Sequence, residues 1–223
     1  MFKKIALFLA KALLAGLLCS VFWVFIYKYS AVAYTPLMAI RYIVKTEITQ
    51  IEHQWVPMAK IAKSIRQAVV SAEDQQFYKH SGFDYQAIKT AIVDYNRGKP
   101  LRGGSTISQQ CAKNVFLWPQ RSWLRKGLEV WFTFLIETLW SKERILEVYL
   151  NSIEMGNGVF GVQAAAKYWF NRSASNLTYN QASAIAAILP NPIKYSAHPP
   201  SRYVKKRIRW IRQQMRNNEK LKR

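Results

Sequence analysis

The sequence predicts a mainly α-helical protein with one membrane-spanning helix at its N-terminus. Three observations lead to this fold class. Residues 5–27 are apolar except for Lys11. Several later segments carry apolar residues three or four positions apart, which is the spacing of one helix face. Residues that favour helix starts, such as Thr178 in Thr-Tyr-Asn-Gln, precede several of these segments.

The N-terminal apolar run is long enough to cross a bilayer as a helix. A cleaved signal peptide is the alternative, because residues 30–33 loosely resemble a cleavage site. The bulky aromatic residues between positions 22 and 27 favour a retained anchor. The lysines at positions 3, 4 and 11 predict a cytoplasmic N-terminus, so the remaining chain is expected on the outer side of the membrane.

Length and charge limit the possible classes of protein. The chain has 223 residues, enough for one domain with an appendage. Its net charge of +21 favours a polyanionic partner, which leaves nucleic acid, anionic lipid and phosphate-bearing substrates open. Two cysteines are too few for a disulfide framework, and no His or Cys spacing is typical of a zinc site. We divide the chain into an anchor (1–28), a tether with a short helix (29–59), a main domain (60–200) and a basic C-terminal helix (201–223).

The pair Glu73-Asp74 follows a predicted helix whose buried face includes Ile61, Ile65 and Val69. The helix dipole disfavours negative charge at this end, so fold stability alone does not explain the pair. Aromatic residues at 77 and 78 are expected to shield Glu73 from water. Desolvation favours a neutral carboxyl group and therefore suits a proton acceptor near neutral pH. A solvated acidic helix end is the alternative.

The next predicted helix is capped by Asp84 and ends near Gly98 and Pro100. Its apolar residues include Ala87, Ile88, Ala91, Ile92 and Tyr95.

A glycine-rich segment at 103–105 predicts the start of another helix, with Ser105 as its N-cap. Thr106, Gln110 and Lys113 then fall on one face, with Asn114 beside them. A helix start with free N–H groups and a lysine is a good phosphate site. An ordinary capped surface helix is the alternative.

Residues 115–124 are rich in apolar and aromatic side chains around Pro119 and Arg121. They are expected to form either an exposed flap that dips into a bilayer or a loop that packs in the core. The sequence leaves both open. A long helix follows, from Arg125 to about Trp140, in which Arg125 and Glu129 are neighbours four positions apart. A surface ion pair is the alternative for these two residues.

Two further helices and a turn complete the main domain. Ser141 is expected to cap a helix that buries Ile145, Leu146, Tyr149 and Leu150. Three glycines between 156 and 161 predict a turn, and the capping box at 178–181 opens a helix through Ile188.

The segment 201–223 carries ten basic residues and one acidic residue, Glu219. Its apolar residues fall on one helix face, which favours a basic amphipathic helix lying on an anionic membrane surface. They are Val204, Ile208, Ile211 and Met215.

Five segments resemble, in order, the five signatures of the peptidoglycan glycosyltransferases, glycosyltransferase family 51. Two positions depart conservatively: Ser108 stands where threonine is common, and Trp169 where tyrosine is usual. The segments are Glu73-Asp74-x-x-Phe77-x-x-His80-x-Gly82; Gly104-Ser105-Thr106-Ile107-Ser108-Gln109-Gln110-x-x-Lys113-Asn114; Arg125-Lys126-x-x-Glu129; Lys142-x-x-Ile145-Leu146-Glu147-x-Tyr149-Leu150-Asn151; and Gly158-x-x-Gly161-x-x-x-Ala165-Ala166-x-x-Trp169-Phe170.

The resemblance implies a lysozyme-like fold with a larger head lobe and a small membrane-facing jaw lobe, to which the aromatic segment 115–124 would belong. Larger relatives carry a transpeptidase domain as well. The chain contains no Ser-x-x-Lys and no Lys-Thr-Gly. It therefore resembles the monofunctional biosynthetic type.

The activity implied is glycan chain elongation from lipid II, with inversion to a β-1,4 link. Glu73 would be the general base, and Lys113, Arg121 and Arg125 would stabilise the pyrophosphate that leaves. Glu129 would orient Arg125 or help to hold a divalent cation, Mg²⁺ or Mn²⁺, at the pyrophosphate. The predicted catalytic residues are thus Glu73 and Glu129. The predicted substrate-binding residues are Asp74, Phe77, His80, Ser105, Thr106, Gln110, Lys113, Asn114, Arg121 and Arg125.

The partners implied are lipid II, the growing glycan strand, the bilayer of the bacterial inner membrane, and cell-wall synthesis or division proteins; no nucleic acid is expected. Two other classes remain open from the residues. One is a peptidoglycan-cleaving enzyme on the same scaffold, which needs one glutamate but no cation cluster. The other is a membrane-tethered polyanion binder, which explains the basic tail but neither glutamate.

Overall fold

The structure, a computed structural model, describes residues 1–44, 50–98, 104–120 and 122–220. It is mainly α-helical, which confirms the predicted fold class. The α-helices of the described residues are α1 Phe2–Tyr29, α2 Pro36–Val44, α3 Lys63–Glu73, α4 Tyr85–Asn96, α5 Ile107–Phe116, α6 Trp123–Leu139, α7 Lys142–Ser152, α8 Val162–Phe170, α9 Tyr179–Ile188 and α10 Arg202–Lys220.

Local capping signals determine where several of these helices begin. The backbone N–H of Ala87 donates to Oδ1 of Asp84 at 2.8 Å, so the predicted cap of α4 is confirmed. Ser141 caps α7, and Thr178 forms the predicted capping box of α9 with Gln181. The helix α3 ends at Glu73, as predicted.

The predicted N-cap at Ser105 is wrong, because Thr106 holds that position. The Oγ1 atom of Thr106 accepts a hydrogen bond from the backbone N–H of Gln109, and the Oε1 atom of Gln109 accepts one from the backbone N–H of Thr106. Ser105 is exposed and precedes the helix. The sequence Thr-x-x-Gln satisfies two helix-terminal donors at once, which a single serine hydroxyl does not.

The predicted glycine-rich turn is present, and it joins two strands of a small three-stranded sheet. The sheet consists of β1 Glu52–His53, β2 Glu154–Gly156 and β3 Val159–Phe160, in the order β1-β3-β2. Strands β2 and β3 pair antiparallel, and β1 pairs parallel to β3. Strands of two or three residues are too short to show alternation in a sequence.

The buried core lies between the helices that follow the anchor. In α5, Ile107, Cys111 and Val115 are fully buried, and α5 packs on both α6 and α7. On the other side, α3 packs against α9 and α10. The residues predicted to be buried in α7 are buried, and Tyr149 is the largest of them.

The apolar face of α4 is not fully buried. Ile92 is 52% and Tyr95 60% exposed, and none of the described residues in α4 is fully buried. Ala87, Ile88 and Ala91 are half-buried. Apolar spacing predicts which residues share a face, but it does not determine whether another element covers that face.

The segment 115–124 is partly buried in the core and partly exposed, so each of the two predicted alternatives holds for some of its residues. Val115, Phe116 and Leu117 are buried, and the ring of Phe116 stacks on Phe132 at 4.6 Å between centroids. Trp123 and Leu124 are 93% and 69% exposed. They open α6, which starts two residues earlier than predicted and is capped by Ser122.

The apolar face of α10 is used inside the protein. Val204, Ile208, Ile211 and Met215 are buried, and the helix packs on α9 and α3. This face is therefore covered by protein and not free to enter a membrane surface. The described basic side chains of α10 are exposed, apart from the half-buried Arg207.

The helix α1 is long and apolar enough to cross a membrane. Its last turns pack on the main domain, where Val24 is fully buried and α1 contacts α6. The indole N–H of Trp140 donates to the carbonyl oxygen of Val24 at 2.9 Å. The guanidinium of Arg144 donates to the carbonyl oxygens of Tyr27, at 2.7 Å, and of Ser30. The C-terminal end of α1 is thus held by α6 and α7.

Candidate active site

The carboxylate of Glu73 lies at the C-terminal end of α3 and is bound by the side chain of Gln110 on α5. The distance from Nε2 of Gln110 to Oε2 of Glu73 is 3.0 Å. Burial raises the pKa of Glu73, and the Gln110 hydrogen bond and the nearby cations Arg207 and Lys113 oppose that rise. A carboxylate with a raised pKa is suited to accept a proton near neutral pH.

A second hydrogen bond extends this contact into the core. The hydroxyl of Tyr149 donates to Oε1 of Gln110 at 3.0 Å. Tyr149 is fully buried in α7, so the chain of hydrogen bonds joins α7, α5 and α3. The sequence predicted Tyr149 only as a core residue; the signal that it does more is that a buried tyrosine hydroxyl needs a polar partner.

Lys113 lies one turn beyond Gln110 on α5, among charges from α3 and α6. Burial lowers its pKa; Glu129 and Glu73 raise it, whereas Arg125 and Lys126 lower it further. An anionic ligand bound beside Lys113 would favour its charged form. This position is suited to hold a phosphate.

Glu129 is buried and carries two ion pairs. Its Oε2 accepts from Arg125 Nη1 at 2.8 Å, and its Oε1 contacts Lys126 Nζ. The pair of Glu129 with Arg125 is therefore buried rather than the surface ion pair that was the alternative. The carboxylate holds two cations in place on the same side as Lys113.

A pocket of about 230 Å³ adjoins Gln110, Lys113 and Asn114. Asn114 is thus next to Lys113 on one wall, as its place in the sequence suggested. The remaining lining residues are Tyr149 on α7 and residues from α2, from the segment after α5 and from the turns after α7 and α9. They include Arg41, Trp118, Pro119, Glu154 and Pro190.

Glu73 is joined to this pocket through Gln110 and does not itself line it, and Asp74 and His80, which contact each other, do not line it either. Oδ2 of Asp74 accepts from the backbone N–H of Ile107 at 3.0 Å and from Nε2 of His80 at 3.0 Å. Nδ1 of His80 accepts from the N–H of Gly82, so the proton of the neutral ring is on Nε2. The two residues join the loop after α3 to the start of α5. Their predicted contact with substrate stays a prediction.

Two other predicted site residues, Thr106 and Phe77, and a glycine of the first motif, Gly82, contribute to the framework of the site. The hydroxyl of Thr106 donates to the carbonyl oxygen of Gly82 at 2.6 Å, so it points towards that loop rather than along the face with Gln110. Phe77 is fully buried, with Lys142 over its ring at 4.6 Å. Gly82 has a φ of +88°, and an added Cβ would lie 2.9 Å from Thr133 Cγ2, so glycine is required there. Arg121 lies outside the described residues.

Two cations near the site were not predicted as site residues. Arg207 comes from the basic helix α10, where the sequence suggested only a membrane-facing charge; it acts on Glu73 and donates to the carbonyl oxygen of Ala187. Arg41 comes from α2 and pairs with the buried Glu154 at 2.9 Å. No local pattern identifies either, because both reach the site through packing of distant segments.

The described side chains around Glu129 do not provide a set of ligands suited to a divalent cation. Both oxygens of Glu129 already contact cationic side chains. The described residues contain no group of three His, Cys, Asp or Glu side chains able to hold a metal. The predicted Mg²⁺ or Mn²⁺ therefore stays a prediction, and the chemistry proposed below does not use it.

A shielded carboxylate that can accept a proton, beside cations that can hold an anionic leaving group, is the site of a group-transfer enzyme. Comparison with known proteins identifies which one. Residues 41–216 match the family described as Transglycosylase. The chain belongs to this transglycosylase family, and it is a glycosyltransferase with the lysozyme-like fold of that domain.

Curated relatives agree with this assignment. A biosynthetic peptidoglycan transglycosylase of Stutzerimonas stutzeri is 49% identical over 219 residues, which is 97% of this chain and 90% of the relative. Proteins of the same name from Pseudomonas syringae pv. syringae and Bdellovibrio bacteriovorus are 57% and 50% identical. They align over 76% and 91% of this chain and over 72% and 82% of their own length. The resemblance drawn from the five motifs is confirmed.

Proposed function

We propose that this enzyme polymerises the glycan strands of peptidoglycan. It transfers the growing strand from its undecaprenyl pyrophosphate to the 4-hydroxyl of the N-acetylglucosamine of lipid II. The α-linked donor becomes a β-1,4 link, so one displacement from the opposite face is sufficient. Support comes from the family of the chain and from the name that its relatives share, biosynthetic peptidoglycan transglycosylase.

The observation that carries the proposal is the Glu73 carboxylate, which Gln110 holds beside Lys113. As general base, Glu73 takes the proton from the acceptor's 4-hydroxyl while that oxygen attacks C1 of the donor sugar. The raised pKa of Glu73 makes it a stronger base than an exposed glutamate, and the Gln110 hydrogen bond favours its ionised form. The bond from C1 to the pyrophosphate oxygen breaks in the same step.

The departing pyrophosphate gains charge as that bond breaks, so it needs cations rather than an acid. Lys113 and Arg125 are the described cations that we assign to it, with Asn114 beside Lys113. Glu129 fixes Arg125 through the 2.8 Å ion pair. Arg121 is assigned to the same group from its place in the sequence. The cations are positioned before the reaction starts, which makes them effective in the transition state.

The substrates place the enzyme at a membrane. Lipid II and the donor both carry a lipid that stays in the bilayer, and α1 is apolar and long enough to cross it once. We assign the catalytic domain to the outer side of the inner membrane, following the basic residues Lys3 and Lys4. The exposed side chains of Trp123 and Leu124, and of Ile92 on α4, are apolar surfaces that can contact lipid.

The decisive experiment is incubation of the purified full chain with labelled lipid II. We expect a ladder of glycan polymers that lysozyme digests. Cleavage of preformed glycan without polymer would favour the peptidoglycan-cleaving class instead. Neither product from a folded protein would favour a membrane-tethered binder.

A further inference from the structure

The hydroxyl of Tyr149 stands at the buried end of the hydrogen-bond chain that reaches Glu73. It donates to Oε1 of Gln110, whose Nε2 donates to Oε2 of Glu73, with 3.0 Å in each step. Tyr149 has no exposed surface in the structure, and it lies beside Gln110 at the wall of the pocket. Within the described chain, the amide oxygen of Gln110 is the acceptor that this hydroxyl has.

The side-chain amide of Gln110 has a donor end and an acceptor end, and only one orientation suits both neighbours. If the amide turned over, its oxygen would face the Glu73 carboxylate, and two acceptors would meet. The proton of the Tyr149 hydroxyl would then lose its acceptor in the core, which is costly for a buried donor. Both effects favour the orientation with N–H towards Glu73.

We propose that Tyr149 is a positioning residue for Glu73: its buried hydroxyl fixes the Gln110 amide so that an N–H faces the carboxylate. The inference rests on the proposed role of Glu73 as general base. A fixed N–H favours the ionised carboxylate and opposes the effect of burial. Without the Tyr149 hydroxyl, the amide is free to rotate, and the carboxylate loses part of its only described side-chain hydrogen bond.

Three charged residues outside the hydrogen-bond chain also change the pKa of Glu73. Arg207 on α10 and Lys113 on α5 favour its charged form, whereas Asp74, the next residue in the chain, disfavours it. Burial and the charges of Glu73 and Asp74 raise the pKa of the Tyr149 hydroxyl, which favours its neutral form. Because a neutral hydroxyl carries no net charge, its loss should act on Glu73 chiefly through Gln110.

The test compares donors and non-donors at position 149. Tyr149→Phe removes the hydroxyl, and 4-fluorophenylalanine at position 149 fills its volume without donating, which guards against a cavity that prevents folding. 4-Aminophenylalanine at position 149 restores a donor. Gln110→Met, alone and with Tyr149→Phe, removes the amide. Ser183→Ala is the matched control, because it deletes another fully buried hydroxyl, on α9.

The readout is the midpoint of the acid limb in the pH profile of turnover. The two non-donors should raise this midpoint by about one pH unit or more, and 4-aminophenylalanine should return it towards the wild-type value. Gln110→Met should raise the midpoint similarly, and Tyr149→Phe should add nothing to it. A uniform loss of rate without a shift, additive shifts in the double variant, or an equal shift in Ser183→Ala would each overturn the inference.

A second readout separates this inference from the proposed function. The infrared difference between wild type and Glu73→Gln gives the titration of the Glu73 carboxyl group directly, without turnover. The same difference spectrum in the Tyr149→Phe background should show a higher midpoint. If lipid II were not polymerised but this shift appeared, the proposed function would fail and the positioning role would stand. Polymerisation with no shift would reject the positioning role alone.

Discussion

Glu73 occupies a position that costs the folded protein stability. Its carboxylate lies at the C-terminus of α3, where the helix dipole disfavours negative charge, and burial adds a desolvation cost. Protein folds retain such positions mainly where chemistry needs them. The two costs explain why this residue identifies the site in both sequence and structure.

Glu73→Gln should lower polymerisation by about 10²-fold or more, because the variant keeps the size of the side chain and removes the base. Lipid II binding should survive, since the amide still accepts from Gln110. Turnover with labelled lipid II and binding by fluorescence measure the two effects separately. Turnover of the variant close to wild type would remove Glu73 from the mechanism.

The same substitution should stabilise the fold at neutral pH. The folded-state pKa of Glu73 is raised above its ordinary value of 4.5, so the folded protein binds this proton more tightly than the unfolded chain. The stability that the group contributes is present below pH 4.5 and is lost as pH rises through the raised pKa. Glutamine carries no such penalty.

Thermal unfolding of wild type and Glu73→Gln at several pH values measures this difference. The variant should melt higher at pH 8, by about 2–4 °C for each 1 kcal/mol. The gap should close as pH falls towards 4.5. A gap that does not change with pH would mean that ionisation of Glu73 is not its cause.

Lys113→Ala should lower both donor binding and turnover, with turnover reduced by about 10²-fold. The pyrophosphate is charged before the transition state and more so within it, so both steps depend on the cation. Lys113→Arg should recover part of the loss, because a planar cation can still reach a phosphate. Binding of a phosphoglycolipid that mimics the donor supplies the affinity. Equal binding by wild type and Lys113→Ala would place the donor site elsewhere.

At the scale of single residues, the site residues that belong to a local sequence motif were predictable. Glu73, Gln110, Lys113 and Glu129 were predicted as site residues, and the structure brings them near one another. Arg207 was assigned to the membrane instead. Its role depends on how α10 packs on α3, and no local spacing encodes that contact.

At the scale of elements, α10 has two faces with separate consequences. Its apolar face is part of the core, so Ile211→Ala should destabilise the fold by about 2–5 kcal/mol. Arg209→Gln with Arg212→Gln alters only the exposed basic face and should leave the free energy of unfolding nearly unchanged. Denaturant unfolding of both variants checks this contrast.

The basic face should bind anionic liposomes, and salt should weaken that binding because the charges are exposed. The Arg209→Gln, Arg212→Gln variant should bind them less well than wild type, and Ile211→Ala should bind as wild type does while folded. For this measurement residues 2–18 are removed, so that α1 does not insert and the packed turns around Val24 remain. Equal binding of the shortened chain to neutral and anionic liposomes would contradict the electrostatic role.

Helix boundaries were predictable where a cap is local, as at Asp84, Ser141 and Thr178. The prediction of Ser105 as N-cap was wrong because it considered a single residue and not the capping box that Thr106 forms with Gln109. The exposed face of α4 and the short sheet were not predictable. Both depend on which distant segment lies opposite, and their residues carry no signal of that partner.

At the scale of the whole molecule, the predicted helical class was correct, whereas the relation between the parts was not visible in the sequence. The apolar run at the N-terminus suggested an anchor followed by a tether. The structure shows the anchor helix packed directly on α6 and held by Trp140 and Arg144. Those contacts join residues more than a hundred positions apart, beyond the reach of any local pattern.

With α1 in the bilayer, as proposed, its attachment to α6 and α7 would make bilayer thickness a variable of the enzyme. Its 28 residues span about 42 Å at 1.5 Å per residue, more than the hydrocarbon core of about 30 Å. A helix of this length adjusts to a thinner bilayer by tilting. Because Arg144 and Trp140 hold the end of α1, a tilt of the helix in the proposed membrane would turn the catalytic domain with it and would change the angle at which its pocket meets the lipid headgroups.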